Sequence, residues 1–229
     1  MSQNSQEVLT AAPDLLFDFP LAPPNFSAIS ANTAPFVMKI DVSDINLTDE
    51  QFLQIEKANP EWRIELSGRG ELIFMPSTGF LPGVKNTKLI QRVANWAEQD
   101  GTGEVGDSST LYVLPNGAKR SPDVSWVRRE KLTDLSEKQL QKPAPFAPDF
   151  VIELRSPSDS LKELQEKMSE YLENGVRLGW LIDPSKKQIH VYRQTGAVEI
   201  LENPQTISGE DVLKNFTLDL GEIWETRIA

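Results

Sequence analysis

Hydrophobic positions along this chain recur with two periods, and the switches between them mark out its elements. "TDEQFLQIEKANP" opens with Thr48 and Gln51 at capping-box spacing, sets Phe52 and Ile55 on one side and stops at Asn59-Pro60, which predicts a short helix. "WRIELSGRGELIFM" alternates on both sides of Ser67–Gly70 and predicts a β-hairpin. After the breaker "STGFLPG", Leu89, Ile90, Val93, Trp96 and Ala97 share a helical face, and Gly101 follows its end. "STLYVLPNGAKRSPDVSWV" reads as strand, Asn116-Gly117 turn, strand.

Residues 129 to 147 are polar and Pro-containing, a loop with a turn or two of helix. "DFVIEL" returns to period two. Ser160 and Glu163 then open a helix whose buried stripe is Leu161, Leu164, Met168, Tyr171 and Leu172, closed by Asn174-Gly175. "LGWLID", "QIHVYR" and "AVEIL" are three further strands, parted by turns at Asp183-Pro184 and Gly196. Helices and strands mix throughout, so the class is α+β or α/β in one domain over residues 39–229. Residues 1–38 carry five prolines and no helical or strand period, which predicts an extended N-terminal arm. Its Leu15, Leu16, Phe17, Phe19 and Phe26 need a surface to lie on, either their own domain or a second subunit.

Composition narrows the chemistry. With 39% hydrophobic and 25% charged residues over 229 positions, the chain can bury a substantial core. It lacks an apolar run of the ~18 residues that cross a bilayer, and its first Lys or Arg is Lys39, unlike the charged start of a signal peptide. A cytoplasmic protein with no membrane partner is expected. Zero cysteines and a single histidine, His190, exclude thiolate zinc sites, cysteine nucleophiles and multi-histidine metal cages. The net charge of −11 argues against nonspecific binding along phosphate backbones. That charge is uneven: residues 1 to 60 hold eight acids against two bases, whereas residues 81 to 131 hold eight bases against six acids.

Two strands carry an acid where an apolar residue is expected. In "DFVIEL", period two places Phe150, Ile152 and Leu154 on one face and Val151, Glu153 and Arg155 on the other. A carboxylate on such a covered strand needs a base, a metal ion or a proton. A salt bridge and a ligand role are both open to Glu153. In "SPDVSWV", Val124 and Trp126 share a face opposite Asp123. If the two strands are neighbours, roughly 4.8 Å apart, Asp123 and Glu153 can meet at one divalent cation, and carboxylates completed by water suit Mg²⁺. Asp149 lies on the face of Glu153 but roughly 13 Å along the strand, too far to share one ion. Lys167 borders the stripe of the following helix, either as an exposed partner of Glu163 or as an ammonium at the rim of the same site.

"RSPDVSWV", "PDFVIELRSPSDSLKELQEKMSEYLENG" and "LGWLIDP" together resemble the Uma group of restriction-endonuclease-like proteins, abundant in cyanobacteria, within the PD-(D/E)XK nuclease superfamily. The resemblance spans roughly residues 45 to 225 and is densest from Pro148 to Pro184. It implies an αβββαβ core with a central mixed sheet flanked by helices, and an Mg²⁺ (or Mn²⁺) dependent endonuclease acting on DNA, with a homodimer suited to cutting both strands. Asp123 takes the Asp position and Glu153 the acid of the Glu-x-Lys element. That element here reads Glu153-Leu154-Arg155, so the catalytic cation is either Lys167, from the next helix, or Arg155. "GELIFMPSTG" is similar to the family as well and adds Glu71 as a further candidate ligand. A noncatalytic nuclease-fold protein that binds a partner or dimerises is the competing expectation. A hydrolase built on His190 and a serine is disfavoured, since the chain has no G-x-S-x-G nucleophile turn.

Overall fold

Thr48 and Gln51 do form a reciprocal capping box, which starts helix α1 (Asp49–Ala58) and leaves Asn59 at its C-cap. The computed structural model describes residues 37–45 and 47–226. The arm read over residues 1–38, with its five apolar residues, therefore lies outside the described residues, except for Val37 and Met38. Met38 opens strand β1 (Met38–Asp41), which the sequence pattern did not predict. It pairs antiparallel with β3 (Glu71–Met75), which in turn pairs with β2 (Arg63–Leu66) through Leu66↔Leu72, the expected hairpin. The turn needs Gly70: its φ is +81°, and a Cβ there would lie 2.6 Å from the Ser43 backbone.

Helix α2 (Phe80–Asp100) starts earlier than predicted, because Pro82 and Gly83, read as breakers, fall in its first turn. Proline is tolerated there, since the first amides of a helix have no intrahelical acceptor. The stretch read as one hairpin is divided between two sheets. β5 (Tyr112–Val113) and β6 (Lys119–Arg120) flank the Asn116-Gly117 turn and extend the first sheet to the order β1-β3-β2-β6-β5. β7 (Val124–Arg128) instead joins β4 (Gly103–Asp107) and β8 (Phe150–Leu154) in the second sheet. Short helices α3 (Arg129–Thr133) and α4 (Glu137–Leu140) occupy the polar segment between β7 and β8.

After β8, helix α5 (Leu161–Glu173) returns the chain to β9 (Leu178–Asp183), which runs parallel to β8. β10 (Gln188–Arg193) and β11 (Glu199–Glu202) complete the sheet in the order β11-β10-β9-β8-β7-β4. The sheet is mixed, and α2, β4, β7, β8, α5 and β9 follow the αβββαβ order. The tail forms a two-stranded ribbon, β12 (Thr206–Ser208) with β13 (Thr217–Asp219), and helix α6 (Gly221–Trp224).

β8 is buried along its whole length, and its two faces serve two cores. Phe150, Ile152 and Leu154 pack with Leu89 and Val93 of α2 and with Trp180. Phe150 and Trp180 meet edge to face with centroids 4.8 Å apart, a geometry favoured by the ring quadrupoles. Val151 faces Met168 and Tyr171 of α5 and Leu181 of β9. The helix approaches so closely that a Cβ on Gly179 would lie 2.5 Å from Met168 Cε and 3.2 Å from Val151 Cγ2. Gly179→Val is expected to lose about 1–3 kcal/mol through overpacking, read as a lower urea midpoint. An unchanged midpoint would show that α5 can lift off β9 without loss.

Candidate active site

The register of the second sheet brings Asp123 and Glu153 together. Val124 pairs with Ile152, so one further step places Asp123, immediately before β7, opposite Glu153. Asp123 Oδ2 accepts the Leu154 N–H at 2.9 Å, and Oδ1 accepts from Arg63 Nη1 at 3.3 Å. Glu153 is 2% exposed. Its Oε1 lies 2.8 Å from Lys167 Nζ and accepts from the Tyr171 hydroxyl at 3.1 Å. No described residue donates a hydrogen bond to its Oε2. Lys167 is buried rather than exposed, and it reaches this point because α5 lies over β8 and β9 with Lys167 and Tyr171 one turn apart.

A second buried acid of the cluster, Glu65 of β2, was not among the residues singled out from sequence. Its Oε1 accepts from Lys167 Nζ at 2.9 Å and from the Ser121 N–H at 3.1 Å, and its Oε2 accepts from Arg120 Nη1 at 3.1 Å. Arg120 also pairs with Glu170 of α5. The signal was present: Ile-Glu-Leu occurs at 64–66 as well as at 152–154, so the argument that flagged Glu153 applies equally to Glu65. In the paired strand Glu71–Met75, the sequence points to the half-buried acid at its start instead.

The other candidates fall apart from this cluster. Glu71 lines the cleft, but its side chain accepts from Ser67 and Arg69 at the hairpin turn. Arg155 turns to Asp183, with Nη1 2.6 Å from Oδ2, and does not line the cleft. Asp149, at the far end of β8, is paired with Arg128 and Lys131. His190 sits mid-strand in β10 beside Gln165, with no serine bonded to it among the described residues. The open cleft over the cluster encloses about 960 Å³ and is lined by nine acids and six bases.

The family described as putative restriction endonuclease, Uma2, matches residues 49–221, most of the chain. The chain belongs to the Uma2 family. Among solved structures, the chain is similar to a putative nuclease belonging to DUF820 from Anabaena variabilis, at 18% identity and a TM-score of 0.65, covering 76% of this chain and 96% of that one. That likeness shows the shared fold, a central mixed sheet with flanking helices. No curated protein matches the chain.

The electrostatics of this Uma2 site separate its two glutamates. Burial alone would raise both. At Glu65 it is outweighed by Lys167, Arg120 and Arg63, which hold the carboxyl down at about 2. At Glu153 burial prevails over Lys167, and the charges of Asp123 and Glu65 add to it, so the carboxyl is pushed up to about 7. Burial would lower Lys167, but Glu153 and Glu65 keep it above its ordinary value, so it stays an ammonium. Glu153 is thus less well compensated for its burial than Glu65 is.

Together with the uncommitted Oε2, this fits a hard divalent cation held by Asp123 and Glu153. Among the described residues no three acids or histidines converge into a cage, so such an ion would draw on two carboxylates with water completing its shell.

The elevated Glu153 makes stability depend on pH. Below its ordinary value of 4.5, folded and unfolded chains both carry the proton. As pH rises through 4.5 toward about 7, the unfolded chain releases it first, so the stability associated with this proton is progressively lost. In chelator at pH 8, Glu153→Gln is therefore expected to be more stable than wild type, by on the order of 2 kcal/mol, with the difference fading by pH 4. Melting curves at both pH values test this. A variant less stable at pH 8 would make Glu153 an anchor of the ion-pair network instead.

Proposed function

We propose that the protein is a divalent-cation-dependent endonuclease that hydrolyses phosphodiester bonds in DNA. The observation that carries this reading is the meeting of Asp123 and Glu153 across neighbouring strands, with Lys167 Nζ 2.8 Å from Glu153 at the wall of an open cleft. Asp123 and Glu153 would hold Mg²⁺ or Mn²⁺. When bound, such an ion polarises a phosphoryl oxygen and lowers the pKa of the attacking water.

The protein's own groups act around it. Lys167 presents an ammonium toward the phosphate or the water and offsets charge that develops during in-line displacement. Arg63 holds Asp123 Oδ1, and the Leu154 amide holds Oδ2, so the carboxylate is oriented before substrate arrives. The acid excess of the lining makes a polyanion dependent on an added cation for entry, which supports metal dependence. A homodimer would suit cutting both strands of a duplex with one site per subunit.

A second reading has its own support. Asp123 is paired with Arg63 and Glu153 with Lys167, as in a noncatalytic nuclease-fold protein that uses these ion pairs structurally. Incubating the protein with plasmid and single-stranded DNA, with and without Mg²⁺ or Mn²⁺, separates the two. The nuclease reading expects metal-dependent cleavage that falls at least 100-fold in Asp123→Asn, Glu153→Gln and Lys167→Met. Lys167→Met should still bind metal. Arg155→Gln should retain most activity and lose only stability, since its partner is Asp183. A wild-type protein whose melting and activity ignore both metals would leave the ion pairs purely structural.

A further inference from the structure

Glu65 and Glu153 both contact the same ammonium, yet they are committed to very different extents. Both oxygens of Glu65 are occupied, by Lys167, the Ser121 amide and Arg120. Glu153 Oε1 is held by Lys167 and Tyr171, and its Oε2 takes no hydrogen bond from any described residue. An acid clamped by three donors, two of them buried cations, is poorly suited to ligate a metal, whereas one with a free oxygen at a cleft can. Lys167 nevertheless stands in the way, because a cation 2.8 Å from Glu153 Oε1 competes with any metal for that carboxylate.

From this asymmetry, and on the nuclease reading above, we infer that Glu65 is a positioning residue that draws Lys167 off Glu153 when a divalent cation binds. The geometry makes the exchange short. Lys167 Nζ lies 2.9 Å from Glu65 and 2.8 Å from Glu153, so it can give up one contact while keeping the other. Arg120 and the Ser121 amide fix the Glu65 carboxylate, so the lysine moves and the acid does not. Glu65 belongs to the sheet β1-β3-β2-β6-β5, whereas the ligands belong to the other sheet. The first sheet thereby gains a role in the chemistry of the second: it holds the ammonium beside the metal without leaving it on a metal ligand. Without Glu65, Lys167 would have Glu153 as its sole anion in this group and would resist displacement.

The test is a double-mutant cycle on metal affinity in the full chain, with Mn²⁺ alone as the probe, followed by calorimetric titration without DNA. Glu65→Gln should weaken Mn²⁺ binding about tenfold when Lys167 is present. In the Lys167→Met background the same substitution should weaken it less than about threefold, the residue of a direct charge effect. Equal losses in the two backgrounds would mean that Glu65 acts on the metal itself, and no loss in either would make it structural; each overturns the inference.

Glu65→Asp keeps the counter-charge of Arg120 but shortens the reach to Lys167. It should show an intermediate, lysine-dependent loss, and it replaces Glu65→Gln if that variant does not fold by circular dichroism. Wild-type protein that binds no Mn²⁺ removes the nuclease reading and this inference together. Wild-type binding without lysine-dependent coupling removes the inference alone.

Discussion

A single buried ammonium ties the two sheets together. Lys167 is sandwiched between Glu65 of one sheet and Glu153 of the other, and its helix packs on β8 and β9 through Met168 and Tyr171. Charges this deep are tolerated only when each is paired and further hydrogen-bonded. Arg120, the Ser121 amide and Tyr171 provide those additional bonds. The placement of β2, of the β5–β6 hairpin and of α5 is therefore mutually dependent: moving any one of them strands a charge contributed by another.

The same arrangement treats the two buried glutamates unequally. Opposite charges in the cluster are matched closely enough to fold, but not evenly, and the imbalance falls on Glu153 rather than on Glu65. Burial at Glu65 is outweighed by Lys167, Arg120 and Arg63, whereas at Glu153 burial prevails over Lys167 and the charges of Asp123 and Glu65 add to it. The unmet demand for positive charge is thus concentrated at one carboxylate facing the cleft. On the nuclease reading, this local asymmetry matters in a protein of net charge −11, whose overall field does not attract polyanions.

Much of the fold was legible because its elements carry their own boundary chemistry. The Thr48 capping box, the hairpin around Gly70, the stripe of α5 and the alternation in β8 are local facts, visible within a dozen residues. What could not be read was which sheet a strand joins. Lys119–Arg120 and Val124–Arg128 are adjacent in sequence, but they enter different sheets, and nothing local distinguishes a continuing hairpin from a crossover. β1 escaped notice because its hydrogen bonds to β3, more than its side chains, hold it in the sheet; three of its four residues are exposed. At the site, Asp123 and Glu153 could be paired from strand adjacency alone. Glu65 was equally anomalous in its own strand, but its link to Glu153 runs through a lysine 102 residues away.

The cation beside Glu153 comes from a helix and not from the strand that carries the acid. Just past β8, Arg155 is two residues beyond Glu153 and starts from the same face, so strand periodicity alone would nominate it as the cation. Asp183, at the end of the neighbouring parallel strand, takes its guanidinium instead. That pairing leaves the face above Glu153 without a cation from its own strand, and a helix that crosses it can supply one from above. A lysine approaching from a helix can reach two acids on different sheets, which a side chain rising from β8 itself would be poorly placed to do. A cation supplied by the helix thus changes what the ammonium can touch: it links Glu65, and with it the first sheet, to the face that carries Glu153.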